Sequence, residues 1–146
     1  MSRVQLALRV PDLEGSIEFY AKLFGVEPAK RRPGYANFAI AEPPLKLVLL
    51  EGEAGEPTRM DHLGVEVEDT AQVAAATERL KAAGLATFEE KDTTCCYALQ
   101  DKVWVQGPGK EPWEVYVVKA DADTLTKEAG SACCADDDAG KETVSG

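Results

Sequence analysis

The four cysteines of this 146-residue chain form two adjacent pairs, Cys95-Cys96 and Cys133-Cys134. Neighbouring Cα atoms lie about 3.8 Å apart, whereas a disulfide usually spans about 4.4–6.8 Å, so an adjacent pair makes a strained disulfide. Each pair is better interpreted as two thiols, which select soft, thiophilic metals or metalloids. Cys95-Cys96 is predicted to bind such a centre, with a small buried apolar cysteine as the alternative. Cys133-Cys134 lies among small and acidic residues, and we predict no required catalytic role for it. Capture and delivery of thiophilic ions, or no role at all, are the alternatives for this second pair.

The single histidine, His62, begins a segment that nearly repeats an earlier one. Residues 62–69 align with residues 5–12 at an offset of 57, and Gln5 occupies the place of His62. Both octets alternate in the manner of strands with one buried face. If a pseudo-two-fold axis relates the two segments, the side chains of Gln5 and His62 meet near that axis.

Glu114 is the third candidate, at the start of the last predicted strand. It shares a face with Tyr116 and Val118, and an acid on an inward-looking face needs a partner or a metal ion. One histidine, one carboxylate and one amide oxygen leave open positions on an octahedral ion, although Fe(II) usually takes two histidines and one carboxylate. Gln5, His62 and Glu114 therefore predict a metal site for which Fe(II), Mn(II), Ni(II), Co(II) and Zn(II) all stay open. The alternative is a hydrogen-bonded histidine and a surface glutamate.

These side chains must be positioned by a strand, a helix and two or three short strands, an order that occurs twice. Helical spacing indicates one helix that ends at Gly25 and another that ends at Gly84. Runs of antiparallel strands behind one helix exclude a doubly wound parallel sheet. We predict an α+β domain over residues 1–119, with βαβββ modules at about 2–52 and 58–119. The modules are expected to form a cupped, mixed sheet with the helices outside.

Charge is distributed unevenly along the chain. The net charge is −10, and residues 120–146 hold −5 of it without any aromatic residue. Such a stretch buries too little apolar surface to offset its ordering entropy, so we predict a disordered acidic tail. The acidic balance argues against nucleic acid or an anionic membrane as partner. No apolar run approaches the roughly 20 residues of a membrane-spanning helix, and no signal peptide is recognisable, so a reducing cytoplasm is expected.

The chain resembles the vicinal oxygen chelate superfamily over roughly residues 2–119. The superfamily includes glyoxalases, fosfomycin-resistance enzymes and extradiol dioxygenases. The resemblance rests on the repeat, on Asp61-His62-Leu63-Gly64 and on Pro112-Trp113-Glu114-Val115-Tyr116. It implies a metal held at the slots of Gln5, His62 and Glu114, and glutamine occupies the first slot in some members.

The segment from Asp92 to Trp104 and the stretch from Ser16 to Pro28 resemble organoarsenical carbon–arsenic lyases, a dioxygenase branch of this superfamily. The resemblance implies an Fe(II)-dependent dioxygenase that uses O₂ to cleave methyl- or aryl-As(III) and releases arsenite in arsenic detoxification. Two thiols suit this substrate because trivalent arsenic has two exchangeable positions besides its carbon, and chelation strengthens binding. Cys95 and Cys96 are expected beside the metal and not on it, because ligation by both thiolates would fill its open positions. Neighbouring residues of a strand face opposite sides, so a loop or turn is expected here, and Asp92, Thr93 and Thr94 fit it.

Tyr97 and Lys102 flank the cysteines and complete the predicted site. Tyr97 is a candidate hydrogen-bond donor to bound oxygen or substrate, and Lys102 would neutralise an acidic substituent or favour thiolate formation. The plain alternatives are a half-buried strand tyrosine and a solvated lysine.

A cadmium-induced protein family shares much of the same pattern. A cadmium- or arsenite-binding stress protein without turnover is therefore one alternative function. A metal-dependent glyoxalase or thiol transferase is the other. Either a monomer or a homodimer, with modules exchanged between chains, is compatible with the repeat.

Overall fold

Two βαβββ units follow one another along residues 2–121, the part of the chain that this computed structural model describes. The first unit contains β1 (Arg3–Val10), α1 (Leu13–Phe24), β2 (Lys30–Arg32), β3 (Tyr35–Ile40) and β4 (Leu45–Glu51). The second contains β5 (Arg59–Glu66), α2 (Thr70–Ala82), β6 (Phe88–Cys95), β7 (Ala98–Gln106) and β8 (Pro112–Asp121). The predicted α+β class with two βαβββ modules is confirmed. β8 continues two residues past the predicted boundary at 119, and Cys133-Cys134 with the rest of the predicted tail lies outside the described residues.

All eight strands form one mixed sheet in the order β2-β3-β4-β1-β5-β8-β7-β6. The modules join through the antiparallel pair β1–β5, while β1–β4 and β5–β8 are parallel. The register places Gln5 opposite Gly64, and Gly64 opposite Glu114. Because directly paired residues point to the same side of a sheet, these three positions share one face at its centre.

The two helices cover the convex face of the curled sheet, α1 on β3 and β4, and α2 on β7 and β8. Asp12 caps α1 by accepting a 3.0 Å hydrogen bond from the backbone N–H of Gly15, and Asp69 with Gln72 forms a capping box on α2. Gly25 ends α1 at a φ of 70°, which glycine adopts without steric penalty. Neither of these helices, within residues 2–121, is long and apolar enough to cross a bilayer.

Apolar side chains line both faces of the sheet. Two convex clusters lie under the helices: Val10, Leu13, Ile17, Phe38, Leu47 and Leu49 under α1, and Val73, Val103 and Val117 under α2. A third cluster lies on the concave face, where Ala7, Tyr35, Val48 and Leu50 pack against Cys95 and Tyr97. This concave cluster joins the first module to the β6–β7 turn, which comes from the opposite end of the sheet.

Polar contacts hold the β6–β7 turn against the first module. The Tyr97 hydroxyl donates to the Pro33 carbonyl oxygen at 2.9 Å, and Lys30 Nζ donates to the Tyr97 carbonyl oxygen at 2.9 Å. Lys30 also pairs with Asp121 at 2.7 Å, and the rings of Tyr35 and Tyr97 lie 5.4 Å apart. The two edges of the sheet therefore approach each other within one chain and curl it into a cup.

Residues 92–95 form the end of β6, so the predicted loop or turn is confined to the residues that follow Cys95. Thr93 and Thr94 pair with β7, and β-branched residues suit a pleated sheet. A bulge just before them leaves Asp92 at a φ of 50°, and its N–H donates to Asp101 Oδ1 at 2.7 Å. Because this bond satisfies the amide at the bulge, the strand continues to Cys95, and only the next two residues form the turn.

Candidate functional site

Gln5, His62 and Glu114 meet on the concave face at the centre of the sheet, on β1, β5 and β8. Glu114 Oε2 lies 2.6 Å from Gln5 Nε2 and 3.0 Å from His62 Nε2. All three side chains are buried, with exposed fractions of 4%, 2% and 3% for Gln5, His62 and Glu114. The structure thus brings together the three residues that the sequence predicted as metal ligands.

Gly64 leaves the space in which Gln5 and Glu114 approach each other. It lies between them in the strand register, and a Cβ atom there would be 3.0 Å from Glu114 Cγ and 3.1 Å from Gln5 Nε2. These distances are shorter than the roughly 3.5–4.0 Å of an ordinary contact. A Cβ atom here would push Gln5 or Glu114 away by a few tenths of an ångström, so glycine leaves the space for their close approach, a role that its place in the sequence motif did not reveal.

Asp61 orients His62 from the side opposite Glu114. Asp61 Oδ2 lies 2.9 Å from His62 Nδ1, and Arg9 Nε donates to Asp61 Oδ1 at 3.1 Å. Burial would lower the pKa of His62, but the carboxylates of Glu114 and Asp61 outweigh it and raise this pKa to about 10. A metal ion at His62 would therefore exchange with a proton on Nε2, as at other histidine ligands.

Lys102 lies beside Glu114, with its amine 2.8 Å from Glu114 Oε1. Burial would raise the pKa of Glu114, but the charges of Lys102 and His62 hold it well below its usual range. Lys102 is only 1% exposed and its amine also lies 5.4 Å from the centre of the Trp104 ring, so the solvated-lysine alternative is wrong. Its amine contacts a candidate metal ligand.

A hydrogen-bond network that sequence reasoning missed surrounds the Gln5 amide. The Tyr116 hydroxyl lies 2.6 Å from Gln5 Oε1 and 3.3 Å from Glu66 Oε1. Arg3 Nε donates to Glu66 Oε1 at 3.0 Å, and Lys46 Nζ lies 3.8 Å from the same oxygen. Strand alternation was a sequence signal for Tyr116. The contacts of Arg3, Lys46 and Glu66 depend on how β1 pairs with β4 and β5.

The donor set fits a hard or borderline divalent cation. An imidazole nitrogen, a carboxylate and an amide on one side of an ion leave positions open on the other side. Among residues 2–121, no three His, Cys, Asp or Glu side chains cluster as metal ligands, so Gln5 would have to supply the third donor. Its Nε2 faces Glu114 here, and a half-turn of the terminal amide would present Oε1 without changing the shape of the side chain.

Cys95 and Cys96 lie at the β6–β7 turn, with Cys95 buried in the concave apolar cluster and Cys96 packed against it. Their sulfur atoms are 3.4 Å apart, well beyond the roughly 2.05 Å of a disulfide bond, so they are not bonded to each other. Cys96 and Tyr97 have φ values of 52° and 61°, at turn positions where Asn and Gly are usual. Such backbone strain is of order 1–3 kcal/mol per residue and clusters at functional sites.

The Tyr97 hydroxyl is directed at Pro33 in the first module. Its 2.9 Å bond to the Pro33 carbonyl oxygen holds the turn, and the predicted donation to bound oxygen or substrate would require that bond to be exchanged. Tyr97 therefore has a visible structural role at the cysteine turn.

Two buried polar atoms beside Cys95 have no hydrogen-bond partner in the described part of the chain, Thr93 Oγ1 and Gln100 Oε1. Thr93 and Gln100 are paired across β6 and β7, and Gln100 Nε2 donates to the Cys95 carbonyl oxygen at 2.8 Å. Buried polar atoms without partners are rare and call for a water or ligand. Hydrogen-bonding capacity is thus available next to the cysteine pair.

A sequence profile of the Glyoxalase/Bleomycin resistance protein/Dioxygenase superfamily matches residues 3–115. The chain belongs to this superfamily, as its duplicated modules and the motifs around His62 and Glu114 predicted.

The chain is similar to two curated relatives and, in its fold, to one solved structure. The chain is 75% identical to a trivalent organoarsenical cleaving enzyme of Thermomonospora curvata, over 96% of this chain and 93% of that protein. It is 63% identical to the cadmium-induced protein CadI of Mycobacterium tuberculosis, over 86% of this chain and 82% of that protein. The fold is similar to the Mn(II)-bound glyoxalase of Novosphingobium aromaticivorans, with a TM-score of 0.59, 22% identity, and coverage of 87% of this chain and 44% of that one.

Proposed function

We propose that this protein is an Fe(II)-dependent dioxygenase that cleaves the carbon–arsenic bond of trivalent methyl- or aryl-arsenicals. Arsenite is released, the organic fragment leaves oxidised, and the outcome is arsenic detoxification in the cytoplasm. The observation that carries the proposal is one concave face with two features, a His–carboxylate–amide cluster and a vicinal cysteine pair. The 75% identity to a protein named as a trivalent organoarsenical cleaving enzyme supports the same substrate class.

Cys95 and Cys96, when both are reduced, would hold the substrate through arsenic. Two As–S bonds replace the two exchangeable groups on arsenic and leave the As–C bond projecting from the pair. The turn supports this role because it fixes both sulfurs side by side, 3.4 Å apart, at strained backbone positions. Thr93 and Gln100 would offer hydrogen bonds to an oxygen near arsenic.

Gln5, His62 and Glu114 would hold the metal ion. Fe(II), when bound, supplies the redox chemistry that activates O₂. Asp61 fixes the tautomer and ring orientation of His62, and the charge of Lys102 stabilises the carboxylate form of Glu114. This set of ligands includes no cysteine, so the metal ion and arsenic would be held by different residues.

The test is an assay of protein supplied with Fe(II), ascorbate and phenylarsenite, in which arsenite release and O₂ consumption are both measured. We expect both in wild type, neither in His62→Ala, and undiminished phenylarsenite binding by that variant. Cys95→Ser with Cys96→Ser should lose phenylarsenite binding as well as turnover. Turnover that survives the double serine variant would contradict the thiol role, and binding without any O₂-dependent arsenite release would contradict the lyase.

A second candidate is a cadmium- or arsenite-binding protein without turnover, favoured by the 63% identity to CadI. The same assay separates the two functions, because a binding protein takes up phenylarsenite or Cd(II) stoichiometrically and consumes no O₂. Methylglyoxal with a thiol is the control substrate for a glyoxalase.

A further inference from the structure

The Tyr116 hydroxyl lies between two acceptors that compete for its single proton. One is Gln5 Oε1 at 2.6 Å and the other is Glu66 Oε1 at 3.3 Å. Tyr116 is 1% exposed, so water does not readily replace either partner. A phenol donates one hydrogen bond and can accept another, so the direction of its O–H decides which atom of the Gln5 amide may face it.

In the structure, the Tyr116 hydroxyl donates to Gln5 Oε1. The amide nitrogen of Gln5 then points to the opposite side and donates to Glu114 Oε2 at 2.6 Å. An N–H₂ group directed into the cluster is a donor and cannot ligate a cation. This orientation suits the cluster without a metal ion, because the Gln5 amide helps to compensate the buried carboxylate.

The opposite arrangement needs only a reversed O–H and a half-turn of the amide. If Tyr116 donates to Glu66, its oxygen accepts a hydrogen bond from Gln5 Nε2, and Gln5 Oε1 turns toward His62 and Glu114. The hydrogen bonds of Tyr116 stay satisfied, but the bond from Gln5 Nε2 to Glu114 Oε2 is lost. A cation between the two oxygens would take the place of that bond, and Gln5 would then be an oxygen ligand.

Glu66 is held in place to receive that proton. Arg3 Nε donates to its Oε1 at 3.0 Å, and Lys46 Nζ lies 3.8 Å from the same oxygen. Lys46 also lies 5.4 Å from the centre of the Tyr116 ring. Two cations thus keep the Glu66 carboxylate fixed beside the Tyr116 hydroxyl.

We infer that Tyr116 and Glu66 are positioning residues that select which atom of the Gln5 amide faces the metal site. With Tyr116 donating to Glu66, the Gln5 oxygen is presented as a ligand. With Tyr116 donating to Gln5, the site is closed to cations. This inference rests on the metal site of the proposed function, but it does not depend on arsenic or on turnover.

The experiment measures the affinity of metal-stripped, full-length protein for Co(II) alone, by competition with a chromophoric chelator. We expect Tyr116→Phe to weaken Co(II) binding by about 10- to 100-fold, the usual range for removing a group that orients a metal ligand. Glu66→Gln should weaken it in the same direction, because it removes the charged acceptor. Tyr20→Phe, on α1, is the matched control and should bind Co(II) as wild type does.

A double-mutant comparison separates orientation of the amide from general support of the fold. Gln5→Glu replaces the amide with a carboxylate, which presents an oxygen in either orientation. In that background, Tyr116→Phe should change Co(II) affinity by no more than about threefold. An equal loss in both backgrounds would show that Tyr116 merely supports the structure, and an unchanged affinity in Tyr116→Phe or in Glu66→Gln would also overturn the inference.

Thermal unfolding establishes which variants fold, and Glu66→Gln carries the test if Tyr116→Phe does not. Wild type that binds no Co(II) would overturn both the metal site and this inference. Co(II) binding with the expected pattern, together with no arsenite release, would leave the inference intact and contradict only the proposed reaction.

Discussion

At His62, a proton and a metal ion would compete for the same ring nitrogen. Its two ring nitrogens lie 2.9 Å from Asp61 and 3.0 Å from Glu114. The centres of the His62 and Trp104 rings are 5.4 Å apart in a T-shaped arrangement. A proton satisfies both carboxylates, and a metal ion would take the place of that proton at Nε2. The carboxylates of Glu114 and Asp61, which raise the pKa of His62 to about 10, favour a cation at this ring.

The raised pKa of His62 predicts how the stability of metal-stripped protein depends on pH. The folded chain binds the proton more tightly than the unfolded chain, whose histidine pKa is about 6.5. The stabilisation is complete below about pH 6.5 and is lost as the pH rises through about 10. We expect the melting temperature in EDTA to fall across this range more steeply for wild type than for His62→Asn. Parallel curves for the two proteins would contradict the shift.

Strand β5 contributes two residues to the geometry of the site, His62 and Gly64. Gln5 on β1 and Glu114 on β8 reach each other over Gly64 because no Cβ atom stands between them. A one-residue slip in either pairing would turn one of these side chains to the convex face. The site therefore depends on the register of three neighbouring strands.

Gly64→Ala is expected to separate Gln5 from Glu114 and to lower Co(II) affinity about tenfold or more, as for other changes that displace a metal ligand. Chelator competition would measure this affinity. Gly109→Ala is the control, since its new Cβ would meet only the end of the Glu111 side chain. Wild-type affinity in Gly64→Ala would show that the strands adjust without moving the ligands.

The β6–β7 turn depends on a bond to the first module, and Tyr97→Phe tests that dependence. Loss of the hydrogen bond to Pro33 should destabilise the local contact by about 1 kcal/mol. Amide hydrogen exchange of residues 95–98, followed by mass spectrometry, should become faster, while exchange in β1 stays unchanged. Unchanged exchange at the turn would instead leave the hydroxyl available for the predicted contact with oxygen or substrate.

Within residues 2–121, the molecule assembles its candidate site from both halves of a single chain. Gln5 comes from the first module, and His62 and Glu114 come from the second. The contacts of Lys30 and Tyr97 join the distant edges of the sheet in the same chain. An exchange of modules between chains is therefore not needed to bring the ligands together.

This arrangement predicts that two defective variants do not complement each other. Gln5→Ala and His62→Ala, unfolded together and refolded as a mixture, should bind Co(II) as weakly as either variant alone. If the site were shared between chains, some mixed dimers would regain one intact set of ligands. Recovery of high-affinity Co(II) binding in the mixture would thus contradict a site contained in one chain.

Local sequence determined the parts of this protein that depend on periodicity. The alternation of apolar and polar residues within 5–12 and within 62–69 predicted the repeat. The repeat in turn predicted that Gln5 and His62 occupy equivalent positions in the two modules. The same alternation placed Glu114 and Tyr116 on one face of β8. These predictions succeeded because the side to which a strand residue points follows from its own segment.

Only the tertiary structure decided which side chains on that face touch each other. The space over Gly64, the position of Glu66 beside Tyr116 and the contact of Lys102 with Glu114 all depend on strand register. The predicted loop or turn begins at Cys96 and not at Asp92, because an Asp101 side chain, nine residues from Asp92, satisfies the bulge and lets the strand continue. Periodicity assigns a residue to a face, but the pairing of distant strands sets its neighbours, and no single segment contains that information.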